Sequence, residues 1–235
     1  MAVSVDTVYQ RVLAILNKEQ RGYLTPQEFN LFANQAQMDI FEQYFYDINQ
    51  FSRLPGNSTE YSDMLDVLNE KISAFEAEGA VTGGITLPAD LYRLGSVKVS
   101  YVDPITAVSK IAEAERVTKN EYLYITLSPL AAPTVSRPIY TRDESQLKVY
   151  GGGQLTTGVT CNYIKTPTTV EWNYTMVLGT AQYNASTSTN FPLHQAEEQE
   201  LIEKILEMSG MLLKDPSIYQ YANAEETERI QQEKA

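Results

Sequence analysis

The stretch TPQEFNLFANQAQMDIFEQYFYDI, residues 25–48, decides the fold. Thr25 is a good N-cap because its hydroxyl can accept from a backbone N–H two or three residues on. Pro26 suits the first helical turn, where its missing N–H costs nothing. Glu28 sits three residues after the cap, so its carboxylate can reach back to the Thr25 N–H and complete a capping box. After that start, Phe29, Phe32, Ala33, Ala36, Ile40, Tyr44 and Ile48 recur at helical spacing. Phe41 and Phe45 widen the stripe, which predicts more than one packing neighbour.

Two more helical stripes flank this one. Val5, Val8, Val12, Ile15 and Leu16 predict a helix before Gly22, with Ser4 or Asp6 near its start. Tyr61, Met64, Leu65, Leu68, Ile72 and Phe75 predict another after the Leu54-Pro55-Gly56-Asn57 break. Gly79, Gly83 and Gly84 close it.

The composition then turns to β-branched and aromatic alternation. Val97, Val99 and Tyr101 share one strand face, as do Leu123, Ile125 and Leu127, and Val159, Cys161 and Tyr163. Arg142 to Ser145 and Gly151 to Gly153 read as turns around a Leu147–Tyr150 strand. Ser109 to Lys119 reads as a short helix within this region. Trp172 to Leu178 and Thr180 to Ala185 predict a hairpin turning at Gly179. The chain returns to helix over Ala196 to Leu213, with Leu201, Ile205, Met208 and Leu212 on one face and glutamates on the other. Asp215-Pro216 ends it.

The expectation is an α+β chain. N-terminal helices (1–80) and a closing helix (191–214) form one bundle. A mainly antiparallel β domain with its hairpin (81–190) is inserted between them, and a polar tail (215–235) follows.

The formal net charge is −12. No run of Lys or Arg offers the basic patch that phosphate binding needs. No apolar run approaches the ~20 residues of a membrane span. Met1 to Asp6 lack a secretory signal's basic and apolar parts, so cytoplasmic synthesis is expected. The sequons at Asn57, Asn173 and Asn184 are then incidental. One cysteine, Cys161, excludes an intrachain disulfide and reads as a small buried hydrophobe.

No catalytic set emerges. The lone histidine, His194, has no nucleophile motif to serve. Gly151-Gly152-Gly153 lacks the Lys-Ser/Thr of a phosphate loop. Glu197, Glu198 and Glu200 read as a solvated first helical turn, favoured by the helix dipole. One Cys and one His cannot make a zinc site of the usual kind. The expectation is a non-enzyme without cofactor or metal, acting through its surfaces. Tyr is abundant, with 16 residues, and suits interfaces. The interface candidates are Trp172, Tyr174, Met176, Leu178 and Tyr183 on the hairpin, and Ile218, Tyr219 and Ile230 in the tail. Trp172 has a second reading as a core anchor, the one that general burial tendencies favour.

The order of Leu87-Pro88-Ala89-Asp90-Leu91-Tyr92-Arg93-Leu94, strand pairs, Tyr163-Ile164-Lys165-Thr166-Pro167, Phe191-Pro192-Leu193-His194 and a Glu-rich helix resembles head–tail adaptor (connector) proteins of short-tailed bacteriophages, including crAss-like ones. The resemblance implies a virion protein at the head–tail junction, made in a bacterial cytoplasm. It implies a homo-oligomeric ring, a dodecamer matched to the portal protein, that docks later tail proteins. DNA would pass through its channel during ejection without specific binding, and no membrane would be involved. Other readings stand beside it: another tail-tube or minor virion protein, a carbohydrate-binding β module using Tyr and Trp172, or a hydrolase using carboxylates.

Overall fold

The capping box at Thr25 forms as its residue types dictate. In a computed structural model of the chain, the Thr25 N–H donates to Glu28 Oε2 at 2.9 Å, and the Thr25 hydroxyl donates to the same oxygen at 2.6 Å. The Glu28 N–H in turn donates to Thr25 Oγ1 at 3.3 Å. The hydroxyl bond first, and the backbone bond second, hold the Glu28 carboxyl below its ordinary range. The structure describes residues 2–18, 24–51, 64–83, 85–103, 107–144, 146–177, 179–212, 220, 223–225 and 227.

The fold is α+β, with a mainly antiparallel sheet. The chain divides into two compact units. One is helical, from Met1–Ala74 and Pro167–Ala235; the other is the β unit Phe75–Thr166. The division therefore falls at 74/75 and 166/167, not at the expected 80/81 and 190/191. The hairpin that composition groups with the β region belongs to the helical unit, because its base is packed there.

In the helical unit, α1 (Val5–Lys18), α2 (Pro26–Phe51), α3 (Met64–Ser73) and α5 (Glu198–Leu212) supply the helices. Most of the expected stripes are buried: Val5, Val8, Val12 and Leu16; Phe29, Ala33, Ala36, Ile40, Phe41 and Tyr44; Leu68 and Ile72; Leu201 and Ile205. Ile15, expected in the first stripe, is exposed, and Phe32, Ile48, Leu65 and Met208 are half-buried. The wide stripe of α2 meets both α3 and α5. Before α1, Val3 and Phe191 exchange two backbone hydrogen bonds of 3.1 Å, which ties the N-terminus to the segment entering α5.

One expectation about α5 is overturned. The glutamates at and just before its start do not form a solvated face: Glu197, Glu200 and Glu203 are buried. Lys71 reaches from α3 to Glu197 Oε1 at 2.6 Å and lies over the Tyr44 ring at 5.7 Å. Arg11 of α1 holds Glu198 at 2.8 Å. Apolar periodicity records which residues are greasy and says nothing of acids that neighbouring helices supply with cations.

In the β unit, β1 (Glu76–Ala80), β2 (Leu91–Val102), β3 (Ser109–Arg116), β4 (Ile139–Asp143), β5 (Gln146–Tyr150), β6 (Gln154–Leu155) and β7 (Val159–Lys165) form one sheet of order β1-β7-β2-β3-β4-β5-β6. All pairs are antiparallel except a two-residue parallel join of β3 to β4. The sheet curls until residues just after β1 meet β5: the Leu147 N–H donates to the Ile85 carbonyl at 2.7 Å, and Thr86 bridges Gln146. Inside the curl lie Val97, Val99, Leu147, Val149, Val159 and Cys161. Burial pushes the Cys161 thiol pKa up, as an inert core thiol requires. Gly158 enters β7 with φ +70°, where a Cβ would stand 2.7 Å from the Ser100 carbonyl; only glycine fits so close a strand approach.

Three expected elements are corrected here. Gly79 does not close a helix; it lies within β1, an edge strand of Glu, Ala and Gly held by pairing to β7. Ser109–Arg116 is a strand and not a helix, and Lys119–Leu127 is a helix, α4, and not a strand. The deciding signal is Thr118-x-x-Glu121, a second capping box. The Thr118 N–H donates to Glu121 Oε2 at 2.8 Å, and the Glu121 N–H to Thr118 Oγ1 at 3.3 Å. Alternation in Leu123, Ile125 and Leu127 mimics a strand, but Leu123 and Leu127 are also one helical turn apart.

Thr25→Ala is expected to lower stability by about 1 kcal/mol in urea unfolding at neutral pH, the usual effect of a lost N-cap. A carboxyl held low in the folded state adds stability above its unfolded pKa and loses it as pH falls through the folded value. The gap between wild type and Thr25→Ala should therefore narrow as pH drops below the ordinary carboxylate range. A gap independent of pH would show that Glu28 contributes nothing to the cap.

Candidate assembly surfaces

Residues 168–172 run extended in the helical unit, outside any named strand, and so need hydrogen-bond partners for their backbone. Side-chain amides of α2 supply them. The Asn34 Nδ2 donates to the Val170 carbonyl at 2.9 Å, while its Oδ1 accepts from the Val170 N–H at 2.8 Å. Asn30 repeats the pattern at Trp172, accepting at 2.8 Å and donating at 3.4 Å. The Gln37 Nε2 donates to the Thr168 carbonyl at 3.0 Å. Four helical residues rise about 6 Å and two extended residues about 6.6 Å, so the two backbones stay in step.

This ladder places Trp172 in the core, 2% exposed. Its indole N–H donates to Asp6 Oδ1 at 2.9 Å, and its ring packs on Tyr9 with centroids 4.4 Å apart. The expectation of Trp172 as an interface anchor is thereby corrected to its second reading. The hairpin β8 (Tyr174–Val177) and β9 (Thr180–Tyr183) turns at Gly179, φ +82°, and is seated on that indole. Tyr174 and Tyr183 stack on it at 5.7 and 5.9 Å, which holds a two-stranded hairpin that would be marginal alone. Of the hairpin candidates, Met176 is 65% exposed, Tyr174 is exposed and Tyr183 is half-buried. Leu178, Ile218, Tyr219 and Ile230 lie outside the described residues. No charged residue occurs from 172 to 196.

A larger apolar surface lies on α4, where residue-type reading had placed a strand. No residue of α4 is buried. Tyr122 turns inward and packs at a tilt on Tyr150, with ring centroids 4.3 Å apart, and desolvation there raises the Tyr122 pKa. Leu123, Tyr124 and Leu127 face outward, and Leu130 follows; Leu127 is 73% and Leu130 91% exposed. Apolar residues on both sides of a short helix call for cover on both sides, and the described residues cover one. A second patch lies on the outer face of the β2–β3 ladder. Ile111, 71% exposed, is diagonal to the exposed Val102 across the register, within side-chain reach.

The groups with reactive potential have structural duties. His194 Nδ1 accepts from the Ala196 N–H at 3.2 Å and caps the 3-10 turn Gln195–Glu197. Gly151 to Gly153 make a turn, with the Gly151 N–H bonded to the Gly153 carbonyl at 2.9 Å. Among the described residues, no group of three or more His, Cys, Asp or Glu is arranged to hold a metal ion, and no helix is long and apolar enough to cross a membrane. The Leu87–Leu94 and Tyr163–Pro167 segments meet: the Tyr163 hydroxyl donates to Asp90 Oδ1 at 3.0 Å and the Thr166 N–H to the Asp90 carbonyl at 2.7 Å. They form one clasp inside the β unit.

The charge is divided as unevenly as the surfaces. Of the 30 acids and 18 bases, nine acids and nine bases lie in Phe75–Thr166. The β unit is formally neutral, and the whole −12 belongs to the segments of the helical unit. No protein-family model matches the chain, and no curated protein matches it.

Asn34→Leu is expected to leave the buried Val170 N–H and carbonyl without partners, at about 1–3 kcal/mol for each orphaned group. Thermal unfolding and near-ultraviolet dichroism of the single Trp172 would both register the change. An unshifted melting temperature would mean that the extended segment does not depend on α2.

Proposed function

We propose that this chain is a structural virion subunit, a head–tail adaptor that forms a closed ring of copies below a portal and docks later tail components. The observation that carries the reading is the exposed apolar face of α4, together with its counterpart on β2–β3. Monomeric proteins rarely expose contiguous apolar patches beyond a few hundred Å², and such patches mark association sites. The residue order that resembles phage adaptors adds the identity of the assembly. Trp172, the strongest aromatic for sugar stacking, is buried, which removes the main support for a carbohydrate-binding module.

In this reading the mechanism is distribution of burial. Each copy offers two unlike patches, so a head-to-tail contact repeats until the ring closes. Each contact is modest, and closure makes the last ones intramolecular. The acidic helical unit keeps free copies apart at low salt and gives passing DNA no site to adhere to.

Immunogold labelling of virions that carry this gene tests the proposal. Label at the neck between capsid and tail is the expected result. Virions that lack the protein, or carry it only on the capsid surface or on distal fibres, would overturn it.

A further inference from the structure

We infer that the β unit is the joint between copies: the α4 face of one molecule packs on the outer β2–β3 face of the next. This rests on the ring reading above and names the surfaces that build it.

The two patches stand at opposite ends of one strand. β3 has eight residues, roughly 26 Å at about 3.3 Å per residue. Ile111 lies near its start, beside Val102 of β2. α4 begins three residues past its end and is fixed there by Tyr122 on Tyr150, a residue paired with Ile139, itself paired with Glu115 of β3. Two unlike apolar patches at opposite ends of one strand suit a heterologous contact, in which each copy gives one patch and receives the other.

Charge favours a second copy as the occupant. Both patches belong to the unit with nine acids and nine bases, so two such units meet without net repulsion. A contact through the helical unit would instead bring two strongly acidic bodies together. Size agrees with a ring and not with a free dimer. A few side chains on each side fall short of the roughly 800 Å² per partner of a stable interface. A single contact is therefore weak, whereas a closed ring uses both patches of every copy.

The test uses the full chain, with sedimentation equilibrium over a wide concentration range. Wild type is expected to associate beyond a dimer. Leu127→Asp on α4 and Ile111→Asp on β3 should each weaken association by more than about tenfold, since truncating a contact's centre removes most of its affinity. An equimolar mixture of the two variants should form nothing larger than a heterodimer, and that only at the top of the concentration range, because each retains the patch the other lacks and one contact alone is weak. Both positions are exposed, and circular dichroism will show native folding.

A second measurement adds a gain of signal. The only native cysteine, Cys161, is buried, so an added thiol reports alone. The double variant V102C/L127C should give a ladder of disulfide-linked multimers on mild oxidation, read on a denaturing non-reducing gel, where each single variant should run as a monomer. Efficient dimers of Leu127→Cys alone would mean that α4 packs on itself and would overturn the inference. Wild-type association unaffected by either Asp substitution would overturn the joint while leaving the ring reading in place. A wild type that stays monomeric at every concentration would overturn the joint, leaving virion labelling to judge the ring reading.

Discussion

An extended backbone segment outside any sheet sets the terms for the helical unit. Residues 168–172 are partnered by the amides of Asn30, Asn34 and Gln37 on α2. Trp172 and the hairpin inherit their position from that pairing. Trp172 enters the core because its backbone is clamped beside α2, its indole meets Tyr9 and Asp6, and the hairpin is seated on the indole. Buried amide-to-backbone bonds are individually modest, but leaving one unmade is expensive. The arrangement is therefore a constraint on where the chain goes more than a large source of stability.

Much of this was legible in the residues, and the failures have physical causes. Thr25 to Glu28 announced α2, and most residues of the apolar stripes of α1, α2 and α3 are buried, Ile15 being an exposed exception. The turns at Gly152 and Gly179 sit where glycine was needed, with positive φ. The same capping chemistry at Thr118 was masked by two-residue alternation in Leu123, Ile125 and Leu127, so strand and helix were exchanged over 109–127. β1 was invisible because Glu, Ala and Gly have little strand preference of their own; its pairing to β7 is a tertiary fact. The hairpin was found, but its owner was not, since nothing in its composition says which core receives Trp172. The burial of glutamates around the start of α5 was equally hidden, because Glu197 is reached by Lys71 from α3, a pairing that periodicity does not show.

The candidate surfaces were half legible for a related reason. Sequence periodicity shows apolar residues and cannot show which of them the chain itself covers. Met176 and Tyr174 were named from composition and are exposed; Trp172 was named beside them and is enclosed. The α4 face became a surface only once Tyr122 was seen to take the inward side. The β unit that carries it has balanced formal charge, and the segments of the helical unit carry the whole excess of −12.

The match between helical and extended repeats also works as a vernier. Adding or deleting one residue between Asn30 and Gln37 would turn the rest of α2 by about 100°, so at most part of the amide set could still find its carbonyls. The strand side is as intolerant, since one inserted residue between Thr168 and Trp172 reverses which groups face the helix. Over evolutionary time, then, length variation in this chain should gather in its connecting loops and avoid these two segments, even where individual side chains drift.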